Sequence, residues 1–193
     1  MPSLPIPTPR LFTFVGDTTG PWRVERAHCL AGDPLPAASR VSIVAGFIAQ
    51  LPQGATWSLR GITSNERYVE QTEKAALVSK QQGLGRPTAT RAALIPIRKK
   101  AAWWALPQDA QREIFEARSR HIEIGLRYLP AVARRLHHCR DLGVDEPFDF
   151  LTWFEYAPGD AAAFEELLAA LRSSAEWKYV DREMDIRLAR ATP

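Results

Sequence analysis

Hydrophobic and polar residues follow two periods along this chain, one typical of strands and one typical of helices. In the C-terminal half, residues 148–156 (FDFLTWFEY) are almost entirely apolar, as in a strand that is buried on both faces. Pro158 and Gly159 then predict a turn, and apolar residues recur at helical spacing from Phe164 to Leu171. Residues 177–188 predict a returning strand, so this half ends in the order strand, helix, strand.

The N-terminal half contains strand patterns at three places. Residues 11–15 form a short β-like run, and residues 57–63 alternate between apolar and polar side chains. Residues 66–69 extend this second strand or start a new one. Residues 92–98 predict a further strand, in which Pro96 lies at an edge or a bulge because proline cannot donate a hydrogen bond to a neighbouring strand.

Helical spacing occurs at three further places. The first is a group of apolar residues that ends before Pro52 and consists of Val41, Val44, Ile48 and Leu51. The second is residues 72–82, and the third is residues 108–129. Pro130 then allows a fresh helical start that runs to about residue 142, since proline is well tolerated in the first turn of a helix.

Strand, helix and strand follow one another in each half, without visible sequence identity between the halves. This order predicts an α+β fold of two ferredoxin-like units, with their sheets together and their helices outside. We place an N-terminal unit at residues 1–106 and a C-terminal unit at residues 107–193. A single larger α+β domain is the alternative.

Composition and charge narrow the class of protein. The 193 residues are 46% hydrophobic and 24% charged, as in ordinary globular proteins. Cys29 and Cys139 lack metal-site spacing, and the proline-rich start has no signal-peptide core, so we expect a cytoplasmic protein. No apolar run approaches the roughly 20 residues that cross a bilayer, so we expect no membrane partner.

The positive charge is concentrated in one part of the chain. The net charge is +3, but residues 98–140 carry ten Lys or Arg against four Asp or Glu. A basic region of this kind can steer small anions or bind nucleic acid. The charges can also be ordinary solvent-exposed side chains on helix faces. Salt-dependent binding of DNA or RNA would separate these readings, and we expect no nucleic acid.

The candidate chemistry lies between His121 and Arg140. His121 stands on an amphipathic helix and can ligate a metal, although a plain core or surface histidine is the commoner case. His137 and His138 are predicted at a surface. The motifs HExxH, CxxC and GxSxG are absent, and GLGRP at residues 83–87 is not a dinucleotide fingerprint.

At this point the sequence resembles the chlorite dismutase family, in particular its short, compact subgroup. The resemblance extends over the chain from about Leu11. It is carried by SNERYV (64–69), Gln81 before GLGRP, IPIRKKAAWW (95–104), RHIEIGLRYLPAVARRLHHCRDLG (120–143), FDFLTWFEYAP (148–158) and EWKYVDRE (176–183).

The resemblance implies a fold, a cofactor and an activity. The family has two ferredoxin-like repeats that form a dimeric α+β barrel, and it binds haem b in the C-terminal half. The implied reaction converts chlorite to chloride and dioxygen. The short subgroup also implies a homodimer.

The resemblance also assigns roles to individual residues. His121 matches the proximal ligand of the haem iron, and Lys99 and Glu176 match the groups that support this ligand. Arg134 matches the distal arginine of chlorite-degrading members, with Arg135 as the alternative if the alignment shifts by one residue. The remaining matches are a distal glutamine and groups near the haem propionates: Gln81, Asn65, Tyr68 and Trp103.

Other activities occur on this fold. Some family members decarboxylate coproheme and lack the distal arginine, so Arg134 favours chlorite as the substrate. A peroxidase-like haem protein and a non-catalytic haem sensor are further alternatives.

Overall fold

The computed structural model describes residues 10–63, 83–143 and 146–191. The strands are β1 (Leu11–Asp17), β2 (Trp22–Ala31), β3 (Arg40–Ala45), β4 (Trp57–Ile62), β5 (Arg91–Lys99), β6 (Ala133–His138), β7 (Phe150–Tyr156) and β8 (Val180–Arg190). The helices are α1 (Ala101–Trp104), α2 (Gln108–Arg112), a π-helical segment (Glu113–Arg118), α3 (His121–Arg127) and α4 (Ala161–Arg172). Short 3₁₀ turns cover Arg140–Leu142, Pro158–Asp160 and Glu176–Tyr179.

The strands of the described ranges form a closed barrel in the order β1-β3-β2-β8-β5-β7-β6-β4. The first four strands of the chain are adjacent in the order β4-β1-β3-β2, and the last four are adjacent in the same relative order, β8-β5-β7-β6. Pairing of β2 with β8 and of β4 with β6 joins the two sheets. The predicted α+β barrel of two repeats is therefore confirmed. The division at residue 106 stays a prediction. Strand β5 lies before residue 106 in the sequence, but its neighbours in the barrel are β7 and β8, which lie after it.

Two apolar layers lie on the two faces of this barrel. The interior layer is built around aromatic side chains, which include Phe14, Trp22, Trp57 and Trp153. The outer layer lies between the C-terminal sheet and helices α3 and α4, and all four apolar residues predicted for α4 are buried there: Phe164, Leu167, Leu168 and Leu171. The helices that follow β5 are thus attached to one outer face of the barrel.

The helix predicted before Pro52 is wrong, because residues 40–45 form β3. This strand pairs with β1 along its length and with β2 at Val41 and Arg40. Val41 is fully buried, whereas Val44 and Leu51 are 40% and 44% exposed. The four apolar residues therefore share no buried face, and pairing with neighbouring strands outweighs their local helical spacing.

The helix predicted after Pro130 is also wrong, because residues 133–138 form β6 between β7 and β4. Successive side chains of a strand point to opposite faces. His137 and His138 are both buried, one on each face of β6, which corrects their predicted surface position.

Pro96 and the long helical block differ from expectation in smaller ways. Pro96 lies in β5, which has a neighbouring strand on each side. The pairing of β5 with β7 contains no bulge, and its pairing with β8 skips the two residues between Leu94 and Ile97. The helical block is interrupted at Arg120, whose φ is +54°. The final strand, predicted from residue 177, begins at Val180 after a 3₁₀ turn. The elements predicted for residues 66–69 and 72–82 lie outside the described ranges. Among described helices, none has the length and apolarity required to span a bilayer.

Replacement of Leu167 by alanine tests the outer layer. The Leu167 side chain is on α4 and is almost fully buried in the outer layer. We therefore expect Leu167→Ala to lower the free energy of unfolding by about 2–5 kcal/mol. Leu30→Ala is the matched control, because Leu30 is half exposed on β2. Urea unfolding followed by circular dichroism measures both variants, and equal losses would contradict the assigned burial.

His137 predicts a loss of stability in acid. Burial lowers the pKa of this imidazole to about 4, since its hydrogen bond to the Leu151 carbonyl does not offset the desolvation. The unfolded chain has the higher pKa and takes up this proton first, so stability decreases as the pH falls from about 6.5 to about 4. The contribution is on the order of 3 kcal/mol.

Unfolding at a series of pH values checks this contribution. We expect His137→Gln to flatten the acid limb of the stability profile. His28→Gln is the control, because His28 is exposed on β2. A profile for His137→Gln that keeps the wild-type slope would refute the assignment.

Candidate functional site

His121 is the first residue of α3 and lies at a break in the helical block. Arg120 adopts a left-handed conformation, which redirects the chain between the π-helical segment and α3. The Ile122 N–H donates to Glu116 Oε2 at 2.8 Å, so a side chain satisfies one of the free donors of the new helix. The ring of Phe115 stacks on the imidazole at 4.3 Å. These contacts hold the imidazole plane in one orientation.

The imidazole is oriented from its other side by Glu176. His121 Nδ1 lies 2.7 Å from Glu176 Oε2, and this carboxylate has only 3% of its surface exposed. The carboxylate accepts a hydrogen bond from Nδ1–H, so Nε2 is the ring nitrogen that carries a free lone pair. Nε2 makes no hydrogen bond to another described residue. This is the arrangement in which a histidine binds a metal ion while a carboxylate raises its basicity.

Lys99 compensates the buried charge of Glu176. Its Nζ lies 2.6 Å from Glu176 Oε1, and both side chains are almost fully buried. Burial alone would raise the pKa of the Glu176 carboxyl, but His121 and Lys99 more than offset it and hold this pKa at about 2. The carboxylate is therefore ionised at any working pH.

Two further contacts support this group and were not predicted. Ser119 Oγ accepts the backbone N–H of Glu176 at 2.8 Å, which ties the segment before His121 to the turn that carries Glu176. Asp149 Oδ2 accepts the backbone N–H of Lys99 at 2.7 Å. Ser119 lies just outside the segments that carry the family resemblance, and Asp149 lies inside one of them without an assigned role. Only the folded structure identifies these two contacts.

The tryptophan pair contacts Lys99 and Asp149. Lys99 Nζ lies 4.8 Å from the centre of the Trp103 ring, which is fully buried and packs edge-on against Tyr179. Trp104 donates from Nε1 to Asp149 Oδ2 at 3.3 Å. Trp103 therefore contacts the Lys99 ammonium itself, and Trp104 contacts the carboxylate that accepts the Lys99 backbone N–H.

Arg134 and Arg135 lie on opposite faces of β6. Arg135 stacks over Phe12 inside the barrel and donates from Nε to His137 Nε2 at 3.1 Å. The guanidinium of Arg134 lies instead against Gly125 of α3, so closely that a methyl group at Gly125 would overlap it. Burial lowers the pKa of Arg134 to about 10, and the group stays positively charged at neutral pH.

Gly125 brings the two halves of the candidate site together. It lies one helical turn after His121 and on the same side of α3, since residues four apart share a face. One turn after His121, this face of α3 therefore carries no side chain. Arg134 of β6 approaches the helix backbone at this position. A glycine four residues after a histidine, inside a helix where glycine costs stability, is a signal that the sequence contained.

Three of the predicted site residues stay predictions. Gln81, Asn65 and Tyr68 lie outside the described residues. Within the described ranges, no cluster of three or more His, Cys, Asp or Glu side chains forms a metal site. The described site thus consists of one candidate ligand with its supporting groups and one opposing arginine.

Known proteins share both the sequence and the fold. A curated chlorite dismutase from Ideonella dechloratans is 34% identical over 129 residues, which are 64% of this chain and 41% of that relative. The chain therefore spans less than half of this relative's length.

Solved structures extend the similarity to the fold. The crystal structure of a dimeric chlorite dismutase from Nitrobacter winogradskyi is 54% identical and covers 93% of this chain and 99% of its own, with a TM-score of 0.86. A chlorite dismutase from Candidatus Nitrospira defluvii in complex with imidazole is 28% identical, over 70% of this chain and 56% of that one, with a TM-score of 0.56.

A family model also matches most of the sequence. The model for chlorite dismutase matches residues 50–192, which is well over half of the chain and includes β4 to β8 with the described site. The chain therefore belongs to the chlorite dismutase family.

Proposed function

We propose that this protein binds haem b and converts chlorite to chloride and dioxygen. The observation that carries the proposal is the pairing of His121 with a buried carboxylate on one side of α3 and the approach of Arg134 to the same helix. The first group suits a haem ligand, and the second is a cation that faces it from the sheet. Similarity to named chlorite dismutases supports the substrate.

The residues of the site fit a planar iron cofactor. Nε2 of His121 would bind the iron, since Nδ1 is engaged by Glu176. Gly125 leaves bare helix backbone beside His121. The Arg134 guanidinium packs there in this structure, so a macrocycle would take this place once that side chain moves aside. The ionised Glu176 would give the imidazole partial anionic character, which favours oxidised iron.

Ferric haem, when bound, would supply the open iron position at which chlorite is split and its oxygen atoms are joined. Arg134 would bind the chlorite anion and retain hypochlorite, the species released when the first oxygen is transferred, close to the reacting centre. A half-buried guanidinium suits this task, because it stays charged, donates several hydrogen bonds and is no useful proton acceptor. The positive charge of residues 98–140 would increase the rate of chlorite approach.

We also propose a homodimer as the functional assembly. The Nitrobacter protein, which the chain matches over nearly its whole length, is a dimeric chlorite dismutase. The present chain accounts for the whole described barrel on its own, so the second copy is not needed to complete its strand order. Light scattering of the haem-loaded protein tests this assembly.

Replacement of His121 tests the proposed iron ligand. We expect His121→Ala to lose most of its haem, because the described site has no other imidazole in contact with Glu176. The haem-to-protein ratio and the Soret band of the purified variant measure this loss. His28→Ala is the control because His28 is exposed on β2, and full haem retention by His121→Ala would remove the ligand assignment.

Replacement of Arg134 tests the proposed distal cation. An oxygen electrode should record rapid oxygen release from chlorite by the haem-loaded wild type. Arg134→Ala should release oxygen roughly 10²-fold more slowly, since a transition-state charge contact is lost, and should leak hypochlorite that chlorinates monochlorodimedone.

Arg135→Ala is the matched control, because Arg135 faces the barrel interior and contacts Phe12. We expect it to keep the wild-type oxygen yield at temperatures below its unfolding transition. Equal hypochlorite release by wild type and Arg134→Ala would count against the proposed role, and loss of oxygen yield only in Arg135→Ala would transfer that role to Arg135.

A further inference from the structure

The two sides of the proposed site are joined by one short connection. Residues 128–132 lead from α3, which carries His121, to β6, which carries Arg134. The Val132 N–H donates to the Tyr128 carbonyl at 3.0 Å, so the connection is a closed turn. The position of Arg134 relative to His121 therefore depends on where this turn is held.

A side chain from a distant part of the chain holds this turn. Arg86, in the loop before β5, donates from Nη2 to the carbonyl of Ala131 at 3.0 Å. Its Nη1 lies 3.5 Å from the carbonyl oxygen of Pro130, and its Nη2 lies 3.5 Å from that of Glu155 on β7. One guanidinium thus links two carbonyls of the turn to the neighbouring strand.

The loop that carries Arg86 is itself anchored to β7. The Gly85 N–H donates to Glu155 Oε2 at 2.6 Å, and the other carboxylate oxygen accepts Trp153 Nε1 at 2.9 Å. Leu84 packs against the interior layer of the barrel. Because Leu84 and Gly85 fix the loop directly before Arg86, Arg86 can transmit the position of β7 to the turn.

We propose that Arg86 is a positioning residue that sets the placement of Arg134 through the 128–132 turn. The proposal rests on the proposed function, in which Arg134 acts on the anion. Charged hydrogen bonds to carbonyls are stronger than neutral ones, and the planar fork of arginine reaches several acceptors, whereas lysine offers a single point charge. A displacement of a reacting group by about 1 Å can cost roughly 10²-fold in rate.

A double-mutant cycle tests whether Arg86 acts through Arg134. The variants are Arg86→Ala, Arg134→Ala and the double variant, each as haem-loaded ferric protein, and the measurements are fluoride affinity from the Soret spectrum and kcat/KM for chlorite. We expect Arg86→Ala to weaken fluoride binding and to lower kcat/KM by roughly tenfold or more in the wild-type background. We expect less than about a twofold further change in the Arg134→Ala background, because coupled residues are non-additive.

Two matched variants complete the experiment. Arg86→Lys should recover only part of the fluoride affinity, since one ammonium cannot reach all three carbonyls. Arg98→Ala removes an arginine from an exposed ion pair with Asp181 and should behave as wild type. Additive losses in the cycle, or an unchanged fluoride affinity in Arg86→Ala, would overturn the proposal. Failure of both Arg86 variants to fold with haem would also overturn it, because Arg86 would then be a folding residue.

The fluoride measurement separates this inference from the proposed function. Fluoride binding to ferric haem requires no turnover. A wild-type protein that binds haem and releases no oxygen from chlorite would refute the proposed reaction, while the fluoride cycle would still report whether Arg86 positions Arg134.

Discussion

The site depends on a carboxylate that is almost completely removed from water. Burial of the Glu176 charge costs several kcal/mol, and the cost is acceptable only where partners of opposite charge and hydrogen-bond donors lie in good geometry. Lys99 supplies the opposite charge, and His121 donates a hydrogen bond from Nδ1–H. Because the three groups come from β5, α3 and the turn before β8, the same interaction that orients the imidazole also fixes these elements relative to one another.

The barrel makes this convergence possible. Strand β5 pairs on one side with β8 and on the other with β7, so Lys99 at its end lies beside both Val180 and the segment of Asp149. The helices that follow β5 cover the outer face of the sheet, and α3 returns to the barrel through a closed turn at β6. The ligand candidate His121 and the opposing Arg134 therefore lie 13 residues apart along the chain, yet on facing elements.

The periodicity of apolar residues predicted those elements in which the apolar positions of the sequence are also the buried positions of the structure. Strand β7 and helix α4 were found because each buries the apolar residues of its own pattern, a mostly apolar run over Phe150–Tyr156 in one case and helical spacing from Phe164 to Leu171 in the other. The same reasoning failed for β3 and β6. Both are short and carry polar residues, and both become strands because neighbours on each side provide hydrogen-bond partners, which a local pattern does not contain.

By itself, the sequence determined which chemical groups are present and, by resemblance, which of them to consider: His121, Lys99, Glu176 and Arg134. The tertiary structure alone decided how they meet, because 55 residues separate His121 from Glu176 and 77 separate Lys99 from it. It also decided which of two adjacent arginines faces α3, since alternation along β6 sends Arg134 to the helix and Arg135 into the barrel. Contacts across such separations arise only when sheet pairing closes the chain on itself, so the roles of Ser119, Asp149 and Arg86 follow from packing rather than from pattern.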